Sequence, residues 1–171
     1  AGFTYSGLKT AVQNYLDNTE TTFVNTINTF IETAEERILK SVQLPVFRKN
    51  VTGSASANVE YLQTPDDFLS PFSLALIDSS SNYSYLLLKH VSWIRDYTPA
   101  RATTGEPLYY ALFDNNTFIL APTPGSALSF ELHYNYRPAS LTSVGDDNQS
   151  WLSENAPNAM LYGSLVEGAV L

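Results

Sequence analysis

The 171-residue chain has no cysteine, two histidines, one methionine, and nine Lys and Arg residues against 17 Asp and Glu. Without cysteine there is no disulfide framework, no thiolate metal site and no thiol nucleophile. The histidines, His90 and His133, leave few means of acid–base work near neutral pH, and neither lies in a Gly-x-Ser-x-Gly or His-Glu-x-x-His setting. No glycine-rich phosphate loop is present. Neither an enzyme nor a resident cofactor or metal is therefore expected. A net charge of −8 disfavours general phosphate-backbone binding, which depends on clustered Lys and Arg. No apolar run approaches the roughly 20 residues of a membrane-spanning helix, so no membrane partner is expected. No basic segment followed by an apolar one opens the chain, so no signal peptide is visible, and Ala1 suits a product from which an initiator Met was removed.

What is plentiful is aromatic: eleven Tyr and nine Phe bring the aromatic share to 13%, within a hydrophobic share of 44%. That is enough for one sizeable core, and tyrosine, apolar in body and polar at the tip, also suits contact surfaces. Leu8, Val12, Tyr15 and Leu16 recur at helical spacing behind the capping candidates Thr4 and Ser6, predicting a helix over 5–16. Phe23, Ile27, Phe30, Ile31, Ala34, Ile38 and Val42 mark one face of a longer helix. Its many threonines have poor helix propensity, so packing of that face must hold it.

From Val46 onward the pattern changes to short runs rich in Val, Phe, Tyr and Leu between turn residues, the pattern of strands. Strands over 47–52 and 58–63 are expected to pair across Gly53-Ser54-Ala55-Ser56, and strands over 72–77 and 83–89 across the tip 78–82. A turn or short helix is expected at 65–69, a short helix at 91–97 and a loop at 101–107. Strands follow at 108–113, 117–121 and 128–136. In the last, Phe130, Leu132, Tyr134 and Tyr136 share a face expected to be buried, and Glu131, His133, Asn135 and Arg137 a wet one. After a polar loop at 143–150, Trp151 and Leu152 restart apolar structure. Pro157 opens a helix with Met160, Leu161, Leu165 and Val166, which runs to Leu171 without a cap, as in a chain that continues further. The expected fold class is α+β in a single domain: a helical part from 4–42 and 151–171, and a β-rich part of antiparallel hairpins over 46–138.

Asp66 and Asp67, and Asp146 and Asp147, resemble the carboxylate pairs of glycosidases or calcium loops, but adjacent residues rarely aim at one point. Structural or solvated roles are expected. Glu32, Glu35, Glu36, Arg37 and Lys40 form the polar side of the second helix, where Glu36 and Lys40 stand at i,i+4. That side is either solvated or, through Glu35 and Arg37, ion-paired to neighbouring copies in a ring. Tyr109, Tyr110, Tyr134, Tyr136 and Trp93 are expected as core or interface aromatics, with sugar stacking as the rival use. Sequons at Asn50, Asn82, Asn115 and Asn148 would matter only in a secreted eukaryotic chain.

Taken in order, several segments carry a resemblance: Thr4-Tyr5-Ser6-x-Leu8, Ile27-x-x-Phe30-Ile31-x-x-Ala34-Glu35-x-Arg37-Ile38, Pro65-x-Asp67-Phe68-Leu69, and Leu120-Ala121-Pro122-Thr123-Pro124. Tyr134-x-Tyr136-x-Pro138-x-x-Leu141 and Trp151-Leu152-x-x-x-Ala156-Pro157-x-x-Met160-Leu161-Tyr162-Gly163-x-Leu165 complete it. The chain resembles the head-to-tail adaptor, or connector, proteins of short-tailed bacteriophages over nearly its whole length. The resemblance implies a structural virion protein, assembled in the host cytoplasm. It would form a ring of twelve copies beneath the portal protein, extend the channel through which genomic DNA passes, and offer a platform for the tail nozzle and fibres. It makes Glu35, Arg37, Lys40, Tyr134 and Tyr136 candidates for contacts between copies, and Leu165 and Val166 candidates for the portal. The rival readings are a carbohydrate- or receptor-binding module of a tail fibre and, less in keeping with the residues, a cell-wall hydrolase using His133 or Asp67.

Overall fold

The computed structural model describes residues 2–170, so the expectations for Ala1 and Leu171 lie outside the described residues. In chain order the elements are α1 (Tyr5–Leu16), α2 (Thr21–Ser41), a 3-10 turn (Pro45–Phe47), β1 (Arg48–Ala55), β2 (Tyr61–Gln63), β3 (Phe68–Ile77), β4 (Tyr83–Tyr85), β5 (Leu87–Leu88), α3 (Val91–Tyr97), β6 (Thr104–Gly105), β7 (Tyr109–Asp114), β8 (Thr117–Ala121), β9 (Thr123–Pro124), β10 (Leu128–Tyr136), a second 3-10 turn (Leu141–Ser143), α4 (Trp151–Asn155) and α5 (Pro157–Ala169). The α+β class expected from the sequence is the class observed. The elements group into two compact units, one from Ala1–Gln43 and Pro138–Leu171, the other from Leu44–Arg137.

The first unit is helical. Thr4 caps α1, its hydroxyl accepting from the Gly7 amide at 3.1 Å. In α2 the hydroxyls of Thr26 and Thr33 donate to the carbonyls of Phe23 and Thr29, so these threonines satisfy themselves on the preceding turn. The apolar face packs as expected through Phe23, Ile27, Phe30, Ile31 and Ala34, while Val42, past the end of the helix, is exposed. Glu35 and Leu39 are buried as well, widening the buried stripe to one flank. Tyr15, on the expected apolar face of α1, is 66% exposed. Ser150 and Ser153 make a reciprocal capping box for α4, and Pro157 opens α5 as expected. α5 lies close on α2 because it presents glycine there. A Cβ on Gly163 would meet the Ala34 Cβ at 3.1 Å.

The second unit is a sandwich of two four-stranded sheets, ordered β1-β10-β3-β4 and β2-β8-β7-β5. Their facing sides form one core from Leu62, Leu74, Leu76, Tyr110, Phe118, Leu120, Phe130, Leu132 and Tyr134. α3 covers the far side of the second sheet, with Ile94 on Ala111, Ile119 and Ala121. The β3–β4 and β7–β8 hairpins form as predicted, with turns at 78–82 and 115–116. The expected hairpin of 47–52 with 58–63 does not form. β1 runs on through Ala55 and pairs with β10, and β2 pairs with β8 in the other sheet. The small residues read as a turn are the end of an edge strand. The expected strand 83–89 is likewise divided, because β4 pairs in the first sheet and β5, beyond the buried Leu86, in the second. At 65–69 the turn is present, the Phe68 amide donating to the Pro65 carbonyl at 3.1 Å, but strand β3 starts there.

Candidate assembly surfaces

Among the described residues no group of three His, Asp or Glu could hold a metal ion, and no helix is long and apolar enough to cross a membrane. The histidines sit in structural or surface settings. His90 caps α3, its Nδ1 accepting from the Ser92 amide at 3.2 Å, and His133 lies edge-on to Phe72. Asp67 is tied to Lys49 and accepts from the Tyr134 hydroxyl at 2.8 Å. Burial works to raise its pKa, but the bonds from Lys49 and Tyr134 outweigh it and hold the carboxyl below the usual range. Asp146 meets Lys9 at 3.4 Å.

The structure separates the residues proposed for contacts between copies. Tyr134 is interior, and burial together with Asp67 pushes its hydroxyl up to about 12. Tyr136 is half-buried against Phe47, with the Lys49 ammonium 4.2 Å from its ring centre. Glu35, placed on the polar side by periodicity, is 7% exposed; burial pushes its carboxyl up, countered in part by the Leu141 amide and Ser140. The reason is local: the chain re-enters the helical unit at 138–143, and the Leu141–Ser143 turn covers that flank of α2. Arg37 and Lys40 stay on the surface, at 68% and 67% side-chain exposure, paired to Glu167 at 2.8 Å and Glu36 at 3.2 Å in the same chain. Asn135, assigned to the wet face of β10, is buried where β3 shifts register, its amide donating to Ser70. On α5, Leu165 is half-buried and Val166 is 54% exposed.

Of the aromatics named from the sequence, Trp93 and Tyr109 lie together, and two grooves join them as surfaces that the sequence did not indicate. On the outer face of the second sheet Trp93, Tyr97 and Tyr109 pack on one another with ring centres 4.6–5.1 Å apart, and the exposed Leu87 stands opposite Tyr109 in the ladder. In the helical unit a groove of about 280 Å³ opens between the α1–α2 turn and the end of α5, with Leu16, Phe23 and Gly168 in its lining and Glu20 among its polar residues. In the β unit a slot of about 260 Å³ lies between β1 and β2, where Gly53 leaves open space over Leu62, Phe118 and Leu132. Charge is unevenly divided. The helical unit holds nine acidic and three basic residues, the β unit eight and six.

The model of the SU10 adaptor protein family matches residues 3–170. No curated protein matches the chain.

Proposed function

The chain belongs to the SU10 adaptor protein family, structural adaptors of bacteriophage virions, and from that premise we propose that it closes into a ring of twelve copies beneath the portal, where it extends the DNA channel. The observation that carries this is the family match over residues 3–170, almost the whole chain. The structure supports it in three ways. Half-exposed or more exposed apolar side chains stand on both units, among them Leu87, Leu88, Tyr162 and Val166, as in a subunit whose surfaces are completed by neighbours. The surface positions of Arg37 and Lys40 allow them to meet an adjacent copy, whereas Glu35 and Tyr134 serve the interior. The outward side of α5, with Leu165 and Val166, is offered to the portal. The tail nozzle and fibres attach on the other side of the ring, and an acidic lumen lets genomic DNA pass without sticking.

A phage carrying a stop codon early in this gene tests the proposal. It should package DNA into heads that lack tails, and the purified protein added back should restore tail attachment. Tailed, infectious particles made without the chain contradict the adaptor role.

A further inference from the structure

Two surfaces of the chain, one on each unit, carry opposite charge beside apolar side chains. On the β unit, β5 is the outer strand of its sheet, paired only to β7, and it presents Leu87 and Leu88, 59% and 50% exposed. Lys89 follows. Its ammonium lies 4.9 Å from the Trp93 ring centre and 5.9 Å from that of Tyr109, and it meets no carboxylate among the described residues. Aromatic rings hold the cation in place, yet its counter-ion is missing.

On the helical unit the groove between the α1–α2 turn and the end of α5 has the opposite character. Leu16 and the 8%-exposed Phe23 are its apolar side chains, beside the polar Asn18, Thr22 and Thr26, and Gly168 keeps α5 close to it, since a Cβ there would meet the Leu16 Cδ1 at 2.7 Å. Glu20 is exposed and has no ion pair among the described residues. The three cations of this unit each stand beside a carboxylate, Lys9 by Asp146, Arg37 by Glu167 and Lys40 by Glu36, and with nine acidic residues against three basic the unit is left negative.

We infer that Leu87 and Lys89 of one copy, at alternate positions along the β5 edge and on the side of Tyr109, dock in the α1–α2 groove of the next, Leu87 on Leu16 and Phe23 and Lys89 against Glu20. A second copy is the occupant because a cation and a carboxylate without ion pairs among the described residues, each beside an apolar side chain, belong to the same chain. The two surfaces differ, so the contact is heterologous, and repeated it closes a ring when the rotation per copy divides a full turn. This rests on the ring proposed above and names its interface.

Charge exchange in the full chain tests it, with oligomer mass and electron microscopy read alone and on the portal. K89E and E20K should each weaken association by about tenfold or more, as loss and reversal of a close interfacial charge pair does, and the double variant K89E/E20K should recover it. Glu20 also precedes α2, so thermal unfolding of each variant separates lost contact from lost fold. Folded single variants that assemble like the wild type overturn the inference, as does a folded double variant that recovers nothing. Intact rings that lose only a tail protein also overturn it, because the patch then belongs to that protein. A wild-type chain that forms no ring, alone or on the portal, contradicts the ring itself; rings indifferent to K89E and E20K contradict only this interface.

Discussion

The Glu35 carboxylate of α2 accepts a hydrogen bond from the backbone amide of Leu141 at 2.9 Å, inside the helical unit. One turn earlier the Glu32 carboxylate accepts from the Thr142 hydroxyl at 2.8 Å, so two glutamates of one helix fasten the segment where the chain returns to this unit. Among the described residues no cation pairs with Glu35, and desolvation is the largest influence on its carboxyl.

Glu35 therefore contributes most when protonated. Its folded-state pKa lies above the unfolded value, so its contribution is fully present below the unfolded value near 4.5 and is lost as pH rises through the folded one. Glu35→Gln keeps an acceptor for Leu141 and removes the buried charge; it should unfold no earlier than wild type at pH 7 and should lack this pH slope. Glu35→Ala leaves the amide unpaired and should cost about 1–3 kcal/mol. Thermal melts of the three proteins from pH 4 to 8 check both.

The opposite sign applies to Asp67. Its depressed pKa means that its contribution is present above the unfolded value of 3.8 and is lost as pH falls through the lower folded one. Tyr134→Phe should cost about 1 kcal/mol, the net value of one hydrogen bond to a charged group less what Lys49 retains. In wild type the Tyr134 hydroxyl should ionise at about 12, and Asp67→Asn should bring it down. Tyrosinate absorbance during alkaline titration reads this directly.

Glu60 joins Arg95 and Arg101, each at 3.2 Å, but the two arginines are not equal. The Arg95 side chain is 26% exposed and lies on α3; that of Arg101 is 57% exposed. Solvent screens the second pair, so Arg101→Ala should change stability by less than about 1 kcal/mol. Arg95→Ala leaves the mostly buried Glu60 carboxylate half-paired and should cost about 1–3 kcal/mol, with faster amide exchange in α3. Denaturant unfolding and hydrogen exchange separate the two.

At Gly163 a side chain has to find room beside the Ala34 Cβ, which is fixed to the helix backbone and cannot swing aside. Gly163→Val should destabilise by about 1–3 kcal/mol despite the better helix propensity of most residues over glycine. A melting temperature equal to wild type would show that α5 can shift away from α2.

The helices were legible in the sequence because their signals are local: Thr4, Ser150 and Pro157 mark starts, and the spacing from Phe23 to Ala34 marks one buried face. Strand positions were also legible, as in β7, β8 and β10. Strand partners were legible only where a short turn joined them. Period-two alternation looks the same whichever neighbour a strand takes, and β1 finds its partner in β10, far along the chain. Glu35 was misplaced for a related reason. Helical periodicity locates the main buried face, but the return segment at 138–143 covers a second flank that no local pattern announces. The α1–α2 groove was invisible because it is assembled from the end of α1, the start of α2 and the end of α5. Lys89 beside Trp93 could have been noticed, since a cation four residues before a tryptophan at a strand–helix junction places charge near a ring.

The most direct test of the adaptor account is electron microscopy of the purified chain mixed with the portal protein of the same phage, classified for rotational symmetry. The account predicts a ring of this chain stacked coaxially on the portal, with twelve copies. Bare portal rings beside free monomers or trimers would contradict it.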